Sequence, residues 1–331
     1  MKANFWRWNV GVAVAIFLIA YPFLFGPLYT NIFVLFLIFS LYATSLNLLL
    51  GFSGLLSFGH AMFFGAGAYT TALLLSHIDG LPFLGAVLIG GLAAGLFALC
   101  ISPLLVRVGG ASFAMMTLAF GQLMYVFCLK FRNITGGEDG IAGFPIPALT
   151  IPGILSVDMT ASSNFYFFTL AIVALALFLL WFFTKTPLGC VMVGIRDNAM
   201  RVAYLGYRVP QTKAVIFIIS GIFAGLAGSI YTVFNNLVSP DDALSLNMSI
   251  YPVMMAFIGG TGSFFGPMVG AGILQVIDEL ATRYTERIEL VNGIIFISAV
   301  LYAPLGAVGI IRKIKEKASS HSKALLDAEI S

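Results

Sequence analysis

The sequence contains few charged residues, and this excludes an ordinary water-soluble domain. Asp, Glu, Lys and Arg make up only 9% of the 331 residues, whereas 60% of the residues are hydrophobic. A soluble domain carries about a quarter charged residues. The mean hydropathy is +1.01, and the apolar residues recur in blocks of about twenty, the length that crosses hydrocarbon as a helix. The composition therefore indicates a membrane protein.

Chemical groups that would support catalysis or ion coupling are also missing. The three cysteines, Cys100, Cys128 and Cys190, have no metal-ligand spacing and are expected to be unpaired apolar side chains. The chain has no G-x-x-x-x-G-K-[ST] phosphate loop, no paired carboxylates and no nucleophile constellation at membrane depth. No charged side chain falls at the middle of a predicted span, where ion-coupled carriers place them. We therefore predict no catalytic residue, no metal site and no cofactor in this chain.

Ten apolar stretches predict transmembrane helices. The first follows Lys2 and Arg7, but no signal-peptidase site follows it, so we expect a retained helix. The eighth is short, runs into a glycine cluster and is expected to be a broken or re-entrant helix. The predicted spans are residues 10–25, 31–50, 61–77, 82–105, 111–130, 164–183, 214–235, 248–259, 267–283 and 290–311.

The distribution of basic residues gives the orientation. With the N-terminus inside, every Lys and Arg except Lys130, Arg132, Arg283 and Arg287 lies on the cytoplasmic side, as the positive-inside rule requires. The expected fold is an all-α polytopic bundle of about ten transmembrane helices with both termini cytoplasmic. Residues 1–311 form one transmembrane domain, with an outer loop at 131–163 and a cytoplasmic loop at 185–213. Residues 312–331 form a basic and polar cytoplasmic tail.

Glycine interrupts the apolar runs in a few places. Pairs spaced by four, such as Gly91/Gly95 and Gly221/Gly225, are typical of close helix packing in lipid. Residues 51–60 combine three glycines and two serines with His60 between two spans, and irregular backbone at this depth must be buried in protein or line a wet cavity. The segment is therefore either part of a transport pathway or a tight turn. His60 by itself favours an interface histidine over a ligand.

The cytoplasmic loop contains a short helix. Asp197 is a candidate N-cap and Gly206 a candidate helix stop. The helix of about nine residues between them is too short to persist alone in water. It must dock either on the membrane surface, through Arg196 and Arg201, or on a cytosolic partner.

Several segments together resemble one family, the LivM-like permeases of branched-chain amino acid ABC transporters. The resemblance runs from about residue 30 to residue 312. The matching segments are GLLSFGHA at 54–61, FFG at 63–65, GAY at 67–69, Arg107, Phe113 and Ala114, TLAFG at 117–121, TGG at 135–137, GIRDN at 194–198, LG at 205–206, GGTGS at 259–263 and GP at 266–267.

The resemblance implies a permease subunit of an ABC importer in the bacterial inner membrane. It implies a homologous second permease in a heterodimer, two ATPase subunits that bind ATP and Mg²⁺, and a periplasmic substrate-binding protein. The residues expected to couple this chain to the ATPases are Gly194, Arg196, Asp197, Asn198, Arg201 and Gly206. The residues expected beside the translocation pathway are Gly54, Ser57, Gly59, His60, Thr117, Gln122, Gly259 and Gly260.

The substrate expected from the resemblance is a branched-chain amino acid. The sequence departs from the family at two places. Asn198-Ala199 follows Arg196-Asp197 where the family usually carries another acid, which affects the charge pattern expected for docking, and Gln122 stands where an acid is common, which affects the expected substrate. Relatives carry urea, short amides and aromatic or other organic acids, so these stay open as alternatives. A secondary carrier, which would depend on an ion gradient, and a passive solute channel, which would conduct without partners, are the alternatives of another class.

Overall fold

Helices form almost all of the protein that the computed structural model describes, namely residues 17–78, 80–151, 155–285, 287–302 and 306–309. The described part of α1 covers residues 17–24. The other helices are α2 (Pro27–Asn47), extended by a π-helical turn (Leu48–Phe52), α3 (Ala61–His77), α4 (Phe83–Leu105), α5 (Ala111–Lys130), α6 (Arg132–Thr135), α7 (Ser162–Lys185), α8 (Pro187–Tyr204), α9 (Val209–Asn235), α10 (Pro240–Leu244), α11 (Leu246–Gly259), α12 (Gly266–Thr282) and α13 (Ile288–Tyr302).

An all-α membrane bundle is confirmed. Among the described residues, six helices are long and apolar enough to cross a membrane. They are residues 27–52, 83–105, 111–130, 162–185, 209–235 and 288–309. Helices α3 and α12 have 17 residues and α11 has 14, so α11 is as short as the sequence suggested. The predicted tail, residues 312–331, and the start of the first span lie outside the described residues.

Helix α2 lies at the centre of the bundle. It contacts α7, α9, α11 and α12, and its second half is buried from Leu37 to Asn47. The buried Tyr42 hydroxyl donates a hydrogen bond to the Met248 carbonyl oxygen at 3.0 Å, which ties α2 to α11. The end of α2 is thus held on several sides, and this fixes the irregular segment that follows it.

Small residues set the close approach of α4 and α9, as the glycine spacing predicted. A Cβ added at Gly95 would lie 2.3 Å from Ile222 Cγ1, and one added at Gly225 would lie 2.2 Å from Ala94 Cβ. Either substitution would push the two helices apart. In a bilayer, where hydrophobic burial does not drive helices together, this close packing is a main source of association.

Short strands form two small two-stranded sheets outside the helices. Strand β1 (Ile141–Ala142) pairs antiparallel with β4 (Leu237–Val238), and β2 (Leu149–Ile151) pairs with β3 (Leu155–Val157). After β3, the backbone N–H and the hydroxyl of Thr160 donate to Asp158, and these hydrogen bonds lower the pKa of the Asp158 carboxyl. The predicted loop 131–163 is therefore ordered structure in its described part.

Candidate functional site

The first irregular segment begins where α2 widens into the π-helical turn. A Cβ at Gly51 would lie 2.2 Å from both Asn47 Oδ1 and the Thr261 carbonyl oxygen, so only glycine fits there. The Ser53 hydroxyl lies 3.1 Å from the Leu48 carbonyl oxygen and 2.8 Å from that of Leu49, and can donate to either. The Leu49 carbonyl oxygen also accepts from the Leu55 N–H at 2.8 Å, so the Ser53 hydroxyl adds a side-chain hydrogen bond at the end of the helix.

Residues 54–60 are non-helical and lie mostly inside the protein. The Phe58 N–H donates to Thr117 Oγ1 at 3.2 Å. A Cβ at Gly59 would lie 1.8 Å from the Thr117 carbonyl oxygen, and one at Gly121 would lie 3.1 Å from Gly59 Cα. The segment therefore packs directly on the backbone of α5, and protein rather than lipid surrounds this irregular backbone.

The His60 side chain is fully buried at the end of this segment. Its Nε2 lies 3.0 Å from Ser45 Oγ. Because the Ser45 hydroxyl donates to the Tyr42 carbonyl oxygen at 2.7 Å, we assign Nε2–H as the donor to Ser45. The imidazole stacks on the Tyr42 ring and meets the Phe63 ring edge-on. Among the described residues, His60 Nδ1 has no hydrogen-bond partner. The geometry is that of a histidine packed between helices.

The second irregular segment joins α11 to α12. Gly260 has φ +109°, a conformation that side chains with a Cβ rarely adopt. A Cβ at Gly259 would lie 1.8 Å from the Gly266 carbonyl oxygen. The Ser263 hydroxyl accepts from the Gly266 N–H at 2.9 Å. The glycines thus bring two antiparallel helices into backbone contact through a very tight connection.

The structure brings the two irregular segments together. Asn47 Nδ2 donates to the Ser263 carbonyl oxygen at 3.1 Å, and Gly51 lies against the Thr261 carbonyl oxygen. Asn47 was not among the residues predicted from the sequence, and Ser263 was named only within the segment GGTGS. The feature that could have indicated this contact is the amide of Asn47 inside an apolar span, because a polar side chain at that depth needs a hydrogen-bond partner.

Helix α8 fills most of the loop between residues 185 and 213 and bends at Asn198. Asn198 has non-helical angles (φ −162°, ψ 98°), and its Oδ1 accepts from the Arg201 N–H at 2.9 Å. Asn198, and not Asp197, is therefore the N-cap of the last helical turns. Asp197 forms an ion pair with Arg196 at 3.1 Å, and not with Arg201, which lies four residues further along the chain.

The last turns of α8 end at Gly206, which has φ +90°, in agreement with the predicted helix stop. Val202 is buried, and its Cγ2 lies 3.0 Å from a Cβ placed at Gly194. On the opposite side, Met200 is 71% exposed and Tyr204 is 85% exposed. The end of α8 therefore presents apolar side chains that nothing in the described chain covers.

Arg196 connects α8 to the first irregular segment. Its Nη1 donates to the Gly51 carbonyl oxygen at 2.7 Å. Its Cγ lies 3.0 Å from a Cβ placed at Gly54, where φ is +70°. Arg196, which was predicted to couple to the ATPases, thus contacts Gly54, which was predicted to lie beside the pathway.

The other predicted residues divide between the irregular segments and exposed surfaces. Ser57 and Thr117 are buried beside residues 54–60, and Ser57 Oγ has no partner among the described residues. Gln122 is exposed on α5, next to Gly121, which packs against Gly59. Asp197 and Arg201 are exposed at the bend of α8.

The chain is similar to known transport permeases over most of its length. A family model described as "Branched-chain amino acid transport system / permease component" matches residues 28–304. The permease protein LivM of the Escherichia coli high-affinity branched-chain amino acid system is 29% identical, over 95% of this chain and 78% of LivM. LivH of Salmonella typhimurium is 23% identical, over 82% of this chain and 91% of LivH.

A sugar permease is also similar. AlsC, the permease protein of the Escherichia coli D-allose transport system, is 30% identical over 71% of each chain. No solved structure shows significant similarity to this chain.

Proposed function

This chain belongs to the family of branched-chain amino acid transport system permease components, and on that premise we propose that it is a permease subunit of a bacterial inner-membrane ABC importer. The pathway is formed with a homologous second permease. Two ATPase subunits bind below, and a periplasmic binding protein delivers the solute from above. The similarity to both LivM and LivH, each named as a permease protein of a high-affinity branched-chain system, supports a permease pair.

The proposed topology is ten spans with both termini cytoplasmic. Contacts in the structure support this topology, because they join segments that it places on the same side of the membrane. Arg196 contacts Gly51, and Asn47 contacts Ser263, at the proposed cytoplasmic end. At the proposed outer end, β1 pairs with β4, and the Tyr125 hydroxyl donates to Asp241 at 2.7 Å.

The observation that carries the proposed mechanism is the hydrogen bond from Arg196 to the Gly51 carbonyl. The exposed last turns of α8, with Met200 and Tyr204 outward, form the element that docks in a groove of an ATPase subunit. Arg201 faces a carboxylate on the rim of that groove, where a guanidinium suits a bidentate pair. A displacement of α8 then pulls on the Gly51 carbonyl and moves the irregular segments that close the pathway.

The proposed solutes are leucine, isoleucine and valine. The two LivM and LivH relatives, named for branched-chain amino acids, support this choice. The relative AlsC is named for D-allose, so the permeases similar to this chain include one named for a sugar. Within such a system, most of the selectivity resides in the binding protein, and the permease accepts what that protein delivers.

Leucine uptake into proteoliposomes tests the proposal. The full complex, with both permeases, both ATPases and the binding protein, is reconstituted with ATP on the ATPase side. We expect leucine accumulation that requires ATP and the binding protein and that survives collapse of proton and sodium gradients. Uptake that follows an ion gradient, or leucine equilibration through this chain alone, would contradict the proposal.

A further inference from the structure

Asn47 lies where α2 passes into the π-helical turn Leu48–Phe52, and its side chain is fully buried. Its Nδ2 donates to the Ser263 carbonyl oxygen at 3.1 Å, across 216 positions of sequence. Because Ser263 presents a carbonyl oxygen, the amide must direct its N–H group there. Its Oδ1 then faces Gly51, where an added Cβ would lie 2.2 Å away. One side chain therefore touches both irregular segments.

The π-helical turn Leu48–Phe52 is the element on which these contacts converge. Each N–H of a π turn reaches five residues back, so the turn is wider than an α turn, and single π turns are frequent at functional sites. This turn carries Gly51 against the Thr261 carbonyl oxygen at a distance that only glycine allows. The Gly51 carbonyl oxygen accepts from Arg196 Nη1 at 2.7 Å. Gly51 is thus held by Arg196 on one side and packs on Asn47 and Thr261.

The contacts around Gly51 differ in what they can transmit. Its approach to the Thr261 carbonyl oxygen is van der Waals packing, which resists compression but hardly resists separation, because each atom pair attracts weakly. The hydrogen bond from Arg196 to Gly51 resists separation as well. The hydrogen bond from Asn47 to Ser263 does the same. A movement of α8 that draws the Gly51 carbonyl toward it would therefore reach the second irregular segment through Asn47.

Ser263 connects this hydrogen bond to the start of α12. Its carbonyl oxygen accepts from Asn47, and its hydroxyl accepts from the N–H of Gly266, the first residue of α12, at 2.9 Å. A Cβ at Gly259, the last residue of α11, would lie 1.8 Å from the Gly266 carbonyl oxygen. A displacement of Ser263 therefore acts on two packed helix ends and not on a free loop.

We infer that Asn47 is a positioning residue that makes the two irregular segments move as one unit when α8 moves. Arg196 holds the first segment at Gly51, and Asn47 carries the movement to Ser263 in the second. The source of the movement, ATP hydrolysis on partner subunits, rests on the proposed function. The connection through Asn47 is a property of this chain and can be tested without nucleotide.

Two single cysteines report on the segments in the complete permease–ATPase complex in nanodiscs, after removal of the three native cysteines. Leu56→Cys is half-buried in the first segment, and Gly262→Cys is exposed in the second, where an added Cβ has no neighbour within 4 Å. The rate of modification by N-ethylmaleimide is measured at rest and after trapping with ATP, vanadate and leucine-loaded binding protein. In the otherwise unchanged complex, we expect trapping to alter both rates.

Asn47→Leu and Asn47→Ala remove the amide, and the alanine variant only removes atoms. In both, trapping should still alter the rate at residue 56 and should no longer alter the rate at residue 262. Thr44→Val is the matched control, because it removes a buried hydroxyl of α2 whose hydrogen bond stays within the helix, to the Ser40 carbonyl oxygen. It should keep both responses. Responses at both residues, or at neither, in the Asn47 variants would overturn the inference. Size-exclusion chromatography shows that each complex is assembled.

A double-mutant cycle without nucleotide separates this inference from the proposed function. Arg196→Gln releases Gly51 and should change the resting rate at residue 262 by about two- to tenfold, the range expected for one hydrogen bond. In the Asn47→Leu background it should change that rate no further, because effects within one connected network are not additive. Equal effects in the two backgrounds would overturn the inference. A non-additive cycle in a complex whose two cysteines do not respond to ATP would support the connection and contradict the proposed function.

Discussion

The Arg196 guanidinium donates a hydrogen bond to the Gly51 carbonyl oxygen, with 2.7 Å between Nη1 and O, across 145 positions of sequence. Gly51 lies in the last turn of its helix, where carbonyl groups have no intrahelical N–H partner. Helix α8 thereby holds the segment that was predicted from the sequence to be either part of a transport pathway or a tight turn. Charge-assisted hydrogen bonds of this kind are about twice as strong as neutral ones.

Replacing Arg196 tests this contact directly. Arg196→Gln keeps a polar side chain but removes the charge and shortens the side chain. We expect ATP-driven leucine uptake to fall by at least about tenfold, because a charge-assisted hydrogen bond contributes about 1.5–3 kcal/mol. Lys185→Gln, which removes an exposed cation from the end of α7, is the control and should keep normal uptake. Normal uptake by Arg196→Gln would show that the contact is not needed.

Gly206 tests whether the stop of α8 depends on backbone conformation. Its φ of +90° strains a β-branched residue, whereas asparagine tolerates positive φ better than other side chains. Gly206→Val should therefore abolish ATP-driven uptake, and Gly206→Asn should retain most of it. Both proteins should reach the membrane in equal amounts, measured by immunoblotting. Equal uptake by the two variants would contradict a role for this backbone conformation.

Gly59 tests the contact between residues 54–60 and α5. A Cβ there would lie 1.8 Å from the Thr117 carbonyl oxygen, so Gly59→Ala must separate the two segments, at a cost of about 1–3 kcal/mol. We expect a lower thermal unfolding temperature and reduced uptake. Gly85→Ala, whose added Cβ would have ordinary contacts near 3.9 Å, should change neither. An unaltered unfolding temperature in Gly59→Ala would contradict the packing described for this segment.

Cysteine labelling tests the topology. In a variant without the three native cysteines, Asp158→Cys and Met200→Cys each place a thiol on an exposed position. A membrane-impermeant maleimide added from outside should label residue 158 in intact cells, and residue 200 only after permeabilisation. Labelling of both from the same side would contradict the ten-span topology.

Hydropathy predicted an all-α bundle, and glycine spacing predicted the close approach of α4 and α9, because each depends on local composition. Against the ten predicted spans, six helices of the described residues are long and apolar enough to cross a membrane. The bend of α8 was not predictable in this way. Asp197 and Asn198 are both good N-cap residues; in the structure Asp197 pairs with its neighbour Arg196, which is itself held by the distant Gly51 carbonyl oxygen, and Asn198 caps the last turns. The sequence likewise gave no pairing for Asn47 with Ser263, or for Asn292 with Asp278. These contacts join residues that are distant in sequence, and only the packing of the helices brings them together.

The central claim is that the end of α8 transmits ATP hydrolysis to the transport pathway. Its most direct test is ATPase stimulation by leucine-loaded binding protein in the reconstituted complex carrying Arg201→Glu. Arg201 is exposed and its side chain has no hydrogen bond within the described ranges of the chain, so the substitution should leave the fold intact. We predict that stimulation is lost while the binding protein still binds leucine. Full stimulation by Arg201→Glu would contradict it.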